Sequence, residues 1–252
     1  MQSETGVSWE DWVSQDDYFD DLAVLGIGPF HPGGVTASRE LLAGRDWTGQ
    51  RVLDVGAGQG TTMRFLEAQG ATVVGIEPSP YMRAAAQRAG VDPAQLRPNV
   101  IQEADLSGTF DAIVVEGVLG FIPDGVSELV AVSEQLAVGG VLLLSDWEPH
   151  DRESHPSYGL EIETRRSGAS VANNLADHGF DCHVSSAETV ASAFSLDVSE
   201  GVDRALQFFP DAPRPTIEAA VKRKIERMEG ALSEDITCER YLLRATKGSS
   251  SI

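Results

Sequence analysis

Positive charge is scarce in this chain. Its 252 residues carry 19 Lys and Arg against 39 Asp and Glu, a formal charge of −20, and only Lys222, Lys224 and Lys247 are lysines. Such a deficit argues against a nucleic-acid binder, whose affinity rests on Lys and Arg neutralising phosphates. Cysteine is scarcer still. Cys182 and Cys238 allow at most one bridge and form neither a CxxC pair nor a metal-ligand cluster, so a reducing cytoplasm is the expected setting. No apolar run approaches the ~20 residues that span a bilayer. The first 21 residues hold seven acids and no base, the reverse of the basic opening of a secretion signal. What is present is ordinary for a globular protein. Apolar residues make up 42% of the chain, too many for a disordered acidic tail, and the length suits one α/β domain with added segments as well as two domains.

Between residues 51 and 146, short β-rich runs alternate with helix-patterned stretches. The runs are 51–56, 71–77, 99–105, 110–116 and 140–146, apolar almost throughout, as in parallel strands buried on both faces. The stretches 61–69, 80–89 and 124–137 have helix composition, so βαβ units and a parallel sheet are predicted. A helix over 169–177, closed by Gly179, and strands over 181–188 and 239–247 follow. Two regions lie outside this core. Residues 1–45 carry Trp9, Trp12, Tyr18, Phe19 and Phe30, then the turn His31-Pro32-Gly33-Gly34. Residues 189–232 separate the last two strands and read as a folded lid, with helices over 202–209 and 217–231, because so long a structureless loop is rare.

The run Asp54-Val55-Gly56-Ala57-Gly58-Gln59-Gly60 ends a strand and opens a helix. Glycines there permit a tight turn and a close approach of backbone to ligand. A dinucleotide site expects G-x-G-x-x-G/A; here the third glycine comes one place early and an acid stands two residues before the first. That acid would repel a pyrophosphate and suits a ligand bearing an ammonium, which disfavours a dehydrogenase.

With these residues the chain resembles the class I S-adenosylmethionine-dependent methyltransferases of the small-molecule, bacterial type. Their D/E-x-G-x-G-x-G motif is met by Asp54, Gly56, Gly58 and Gly60. The resemblance continues with Glu77, before Pro78, in the place of the acid on the ribose hydroxyls. The acid that reads the adenine falls on Asp105 in Ala104-Asp105-Leu106, or on Glu103 in an alternative alignment. Phe110-Asp111 and the Gly139-Gly140 turn also fit. The resemblance covers about residues 46–185 and the final strand. It implies a Rossmann-like, doubly wound seven-stranded sheet of order 3-2-1-4-5-7-6 with the last strand antiparallel. The expected layout is a single domain: an N-terminal helical cap (1–45), a core (46–188 and 236–247) and a lid insertion (189–232) between the last two strands. It further implies S-adenosylmethionine as cofactor, S-adenosylhomocysteine as product, and a Tyr18 placed to reach the cofactor carboxylate.

Methyl transfer to a small molecule needs positioning and exclusion of water more than acid–base work, although an acceptor that loses a proton needs a base. Three groups qualify: Glu116 at the end of the fourth strand, which could equally touch the cofactor; His150 after the fifth; and His31 in the glycine turn. Many relatives carry a histidine where this chain has Phe121, so that base is excluded. Trp147 could line an acceptor pocket or cover the sheet edge. Lys222, Arg223, Lys224 and Arg227 read as a solvated helix face laced with Glu218 and Glu226. No metal is expected, and neither nucleic acid nor a membrane is expected as partner; monomer and homodimer both fit. A catalyst that keeps S-adenosylmethionine without transferring its methyl group is the alternative function, and a non-catalytic binding subunit the lesser one.

Overall fold

The structure is a computed structural model that describes residues 6–28, 31, 33–101, 106–122, 124–148, 167–191, 196–231 and 236–248. The apolar runs form one sheet from β1 (Arg51–Val55), β2 (Thr72–Ile76), β3 (Leu96–Arg97), β4 (Phe110–Glu116), β5 (Leu136–Trp147), β6 (Phe180–Ala191) and β7 (Ile236–Lys247). Its order is β3-β2-β1-β4-β5-β7-β6. The first five strands are parallel, and β7 runs antiparallel to both β5 and β6, as the resemblance implies. Alternate residues divide between two faces. Val52, Ala112, Val114 and Leu143 meet α3 (Gly34–Leu42) and α4 (Thr61–Glu67). Leu53, Ile113, Val115 and Leu144 meet α6 (Gly125–Ser133) and α7 (Gly168–Asp177).

Two elements differ from the sequence reading. The third strand lies at Leu96–Arg97 rather than 99–105, where residues 102–105 are outside the described part. Pro98 follows it directly, lacks the N–H that would extend the ladder, and ends the pairing. The helix expected over 124–137 stops at Ser133, because Leu136 pairs with Phe110 and already belongs to β5. The two cysteines lie on different stretches of the β6–β7 ladder, in register with Ala245 and Thr189, and Cys182 is free. Among the described residues no helix is long and apolar enough to cross a membrane.

A second core sits beside the sheet. The N-terminal helices α1 (Trp9–Ser14) and α2 (Tyr18–Val24) pack with α8 (Val198–Phe208), α9 (Arg214–Ala231) and α5 (Pro80–Arg88). Trp12, Leu22, Leu25, Ile217 and Val221 are buried there. Of the basic residues of α9, Lys222, Arg223 and Arg227 have the exposed side chains predicted for them, and Lys224 departs from that face. Lys222 is exposed and near Glu226, but Lys224 is 0% exposed, with Nζ 2.8 Å from Asp21 Oδ1 and 4.9 Å from the Trp12 ring centroid. Arg227 binds the other Asp21 oxygen, Arg223 donates to Val13 O, and Arg204 of α8 donates to Leu25 O and Gly26 O. The acid-rich, base-free N-terminal stretch is therefore partnered by bases some 200 residues away. A buried ammonium demands such a partner.

Candidate functional site

A cleft of about 490 Å³ opens where β1, β2 and β4 end, the edge at which open α/β sheets place ligands. Its floor is the glycine turn. Gly56 and Ala57 both donate to Ile76 O, at 2.9 and 3.0 Å, so the turn is clamped to the end of β2. Gly56 has φ +75°, and a Cβ there would fall 2.4 Å from Val118 Cγ1. Gly60, also at positive φ, does not line the cleft; a Cβ on it would collide with Val91, so it serves the close packing of α4.

Three carboxylates converge on the floor. Asp54 is 3% exposed and its Oδ2 is buried with no hydrogen-bond partner. Burial, then the nearby Glu116 and Glu77, push its carboxyl well above the ordinary range. Glu77 accepts from Gly58 N (2.9 Å) through one oxygen and from Ser79 N (2.8 Å) through the other. Burial still outweighs those bonds and raises its pKa. Each oxygen keeps a lone pair for a ligand hydroxyl. Glu116 accepts from Thr62 Oγ1 (2.8 Å) through Oε2, while Oε1 is buried without a hydrogen bond.

His31 reaches this group from the turn before α3, which is closed by Gly34 N–H to His31 O and by Gly33 at φ +76°. Its Nε2 lies 3.1 Å from Ser38 Oγ and 3.9 Å from Glu116 Oε1. The structure thus brings together Asp54, Glu77, Glu116 and His31, residues far apart in sequence. Pro78, Gly56 and Gly58 join them in the lining. Tyr18 and Leu106 do not line it. Tyr18 packs on the cap core, 5.8 Å from Phe19, and Leu106 on the sheet core. Glu103, Asp105 and His150 lie outside the described residues. Trp147 ends β5 half-buried, also away from the cleft lining.

Phe19 and Phe121, both named from the sequence, also line the cleft, together with Asp20 and Gln59, which were not singled out. Phe19 of α2 meets Phe121 edge-on, centroids 5.1 Å apart, across the mouth. Asp20 accepts from Ser79 Oγ at 2.7 Å, and Gln59 Nε2 donates to Ile27 O at 2.6 Å. These bonds tie α2 and the segment after it to the acid of β2 and to the glycine turn. A Ser-Pro pair directly after Glu77-Pro78 was a legible helix start, whereas nothing local marks the Gln59 contact. No described residue of 196–231 lines the cleft; the insertion buttresses α2 from behind rather than closing over the opening, because its apolar faces are spent on the cap core.

A profile of the family described as a methyltransferase domain matches residues 32–195. Among curated proteins, the ubiquinone biosynthesis O-methyltransferase of Xanthomonas oryzae pv. oryzae is 31% identical over 105 residues, 40% of this chain and 44% of the relative. The chain thus aligns with less than half the length of the curated relatives it matches. Among solved structures, Haemonchus contortus phosphoethanolamine N-methyltransferase 2, in complex with phosphomonomethylethanolamine and S-adenosylhomocysteine, superimposes with a TM-score of 0.61 at 20% identity. That match covers 96% of this chain and 61% of that one. The (4+2)-cyclase SpnF follows with 0.59 at 18% identity, covering 92% and 94%.

Proposed function

The chain belongs to the methyltransferase-domain family, and we propose that it transfers a methyl group from S-adenosylmethionine to a small-molecule acceptor. The observation that carries this reading is the buried carboxylate oxygen without a hydrogen bond, Asp54 Oδ2, beside a glycine turn whose Gly56 has no room for a Cβ. A buried unpaired acceptor costs about 1–3 kcal/mol, and a ligand bearing an ammonium supplies what it lacks. The cofactor fits the residues present: Asp54 for its amine end, Gly56 and Gly58 for close approach, and Glu77, beside Pro78, for a vicinal diol. Glu103 or Asp105 would serve its adenine. When bound, it supplies a methyl group on a sulfonium, already a good leaving group.

The chain's own contribution is then positioning and exclusion of water. Phe19, Phe121, Ile122 and Val118 wall the cleft with apolar surface. His31 Nε2 is placed to hold a proton released by an acceptor, because an N–H there would point between Ser38 Oγ and the Glu116 carboxylate. His150 is a further candidate for that role. We assign the cover of the cleft to α2 with Ile27, Gly28 and His31, braced by α8–α9, within one domain, and place the enzyme in the cytoplasm. The fold is shared with a cyclase and does not by itself dictate methyl transfer.

The test is ligand-dependent stability. S-adenosylhomocysteine at ~100 times its Kd should stabilise the chain by about 2.7 kcal/mol, with NAD inert. Stabilisation by NAD alone would overturn the reading. Turnover of an acceptor without formation of S-adenosylhomocysteine would replace methyl transfer with the non-methylating alternative.

A further inference from the structure

The described residues that line the cleft include five carboxylates (Asp17, Asp20, Asp54, Glu77 and Glu116) and no lysine or arginine. Four of the five have other employment. Asp17 caps α2 by accepting from Asp20 N, Asp20 accepts from Ser79 Oγ, and Glu77 holds Gly58 N and Ser79 N. Asp54 is taken by the amine end of the cofactor in the reading above, on which this inference rests. Glu116 accepts from Thr62 Oγ1 through Oε2, and its other oxygen is left over. The residue is 9% exposed, its Oε1 is buried without a hydrogen bond, and that oxygen faces the His31 side, where the N-terminal segment covers the cleft. The nearby basic side chains are turned elsewhere: Arg83 donates to Glu77 O and Pro78 O, and Arg88 to Phe208 O.

We propose that the acceptor is an amine on an apolar body, bound as its ammonium by Glu116 and flanked by the Phe19–Phe121 pair; it passes one N–H proton to His31 Nε2, and the freed nitrogen lone pair then takes the methyl group as the methyl–sulfur bond breaks. A carboxylate in an apolar cleft attracts a cation through a low dielectric and repels an anion equally strongly. Aromatic rings beside it favour an ammonium and an apolar frame alike. The net charge of −20 adds long-range attraction of the same sign. A phosphorylated or carboxylated acceptor would meet no lysine or arginine among these lining residues.

The probes are benzylamine, benzyl alcohol and benzoate, which share a ring and differ in charge. Each is titrated by NMR into the full chain saturated with S-adenosylhomocysteine. Benzylamine should bind about tenfold or more tighter than benzyl alcohol, the scale of one charge-assisted hydrogen bond, with benzoate weakest. Its advantage should shrink as salt is raised. Glu116→Gln should remove the advantage of the amine over the alcohol. Benzoate binding as well as benzylamine would overturn the inference, as would an amine preference that survives in Glu116→Gln. The wild-type series and its salt dependence decide the matter even if that variant does not fold. Failure of S-adenosylhomocysteine to bind wild type sinks the methyl-transfer reading itself. Its binding without charge discrimination among the probes sinks only the amine.

Discussion

The sheet and the cap are built from opposite kinds of partnership. At the centre of the sheet, Val52, Leu53, Ile113 and Val114 are fully buried in apolar clusters. Their place follows from local patterning, and each contributes through burial, about 1.5–3 kcal/mol for a side chain of this size. The cap also buries apolar residues, but at its centre Lys224 and Asp21 are both 0% exposed and paired, with Arg227 on the second oxygen. Burial lifts the Asp21 carboxyl to about 6 against the pull of both bases. An arrangement in which desolvation competes so closely with attraction fixes which helices meet more than it adds net stability. The sheet is therefore specified by composition and the cap by particular partners.

The largest test of that contrast is to remove one member of the pair. Lys224→Ala should destabilise the cap by about 3–5 kcal/mol, since Asp21 would lose its buried partner and keep only the partly exposed Arg227 for its buried charge. Hydrogen exchange should quicken in α1, α2 and α9 well before the strands are affected. The double replacement Lys224→Met with Asp21→Leu should recover most of the loss. If the double variant is no more stable than Lys224→Ala, the pair does more than offset its own burial, and the cap resembles a designed ion-pair lock.

This contrast also explains what the sequence could show. β1, β2, β4 and β5 were legible because a strand buried on both faces writes a continuous apolar run. Asp54 and Glu77 were legible because each follows such a run at its carboxyl end. β3 was misplaced because an edge strand of two residues leaves almost no pattern, and Pro98 was the only local sign of its end. Lys224 was misread because its neighbours on α9 are exposed and its partner lies about 200 residues earlier. Helical periodicity reports which face a residue occupies, not what covers that face. Ser38, Thr62 and Gln59 were missed for the same reason: small polar residues become informative only when a distant group is brought against them.

The cleft lies between these two regimes, and Asp54 tests which one it obeys. Its carboxyl is raised by burial and by Glu116 and Glu77, and a raised folded value means its stabilising contribution is complete below the unfolded pKa. That contribution is lost as pH rises through the folded one. The charged form is thus a cost to folding held in place for a ligand. Asp54→Asn should lower affinity for S-adenosylmethionine by roughly 100-fold, about 2.7 kcal/mol, while the unliganded protein melts no earlier, and later at high pH. Calorimetric binding and thermal unfolding at two pH values check both halves. A variant that binds normally, or one that is destabilised in proportion, would place Asp54 with the structural core instead.

The smallest effect should come from the same helix that gives the largest. Arg214, at the start of α9, pairs with Asp203 at 3.1 Å and lies 3.7 Å from Glu218, but all three side chains are more than half exposed. In water such pairs gain little, because solvent screens the attraction and two long side chains lose their freedom. Arg214→Ala should therefore change stability by no more than about 0.5 kcal/mol, measured by urea unfolding beside Lys224→Ala. Both residues are bases of α9 bonded to aspartates, so charge and helix are held constant while burial differs. Losses of equal size would mean that net charge in an acidic protein governs the cap, and the contrast between particular partners and composition would fall.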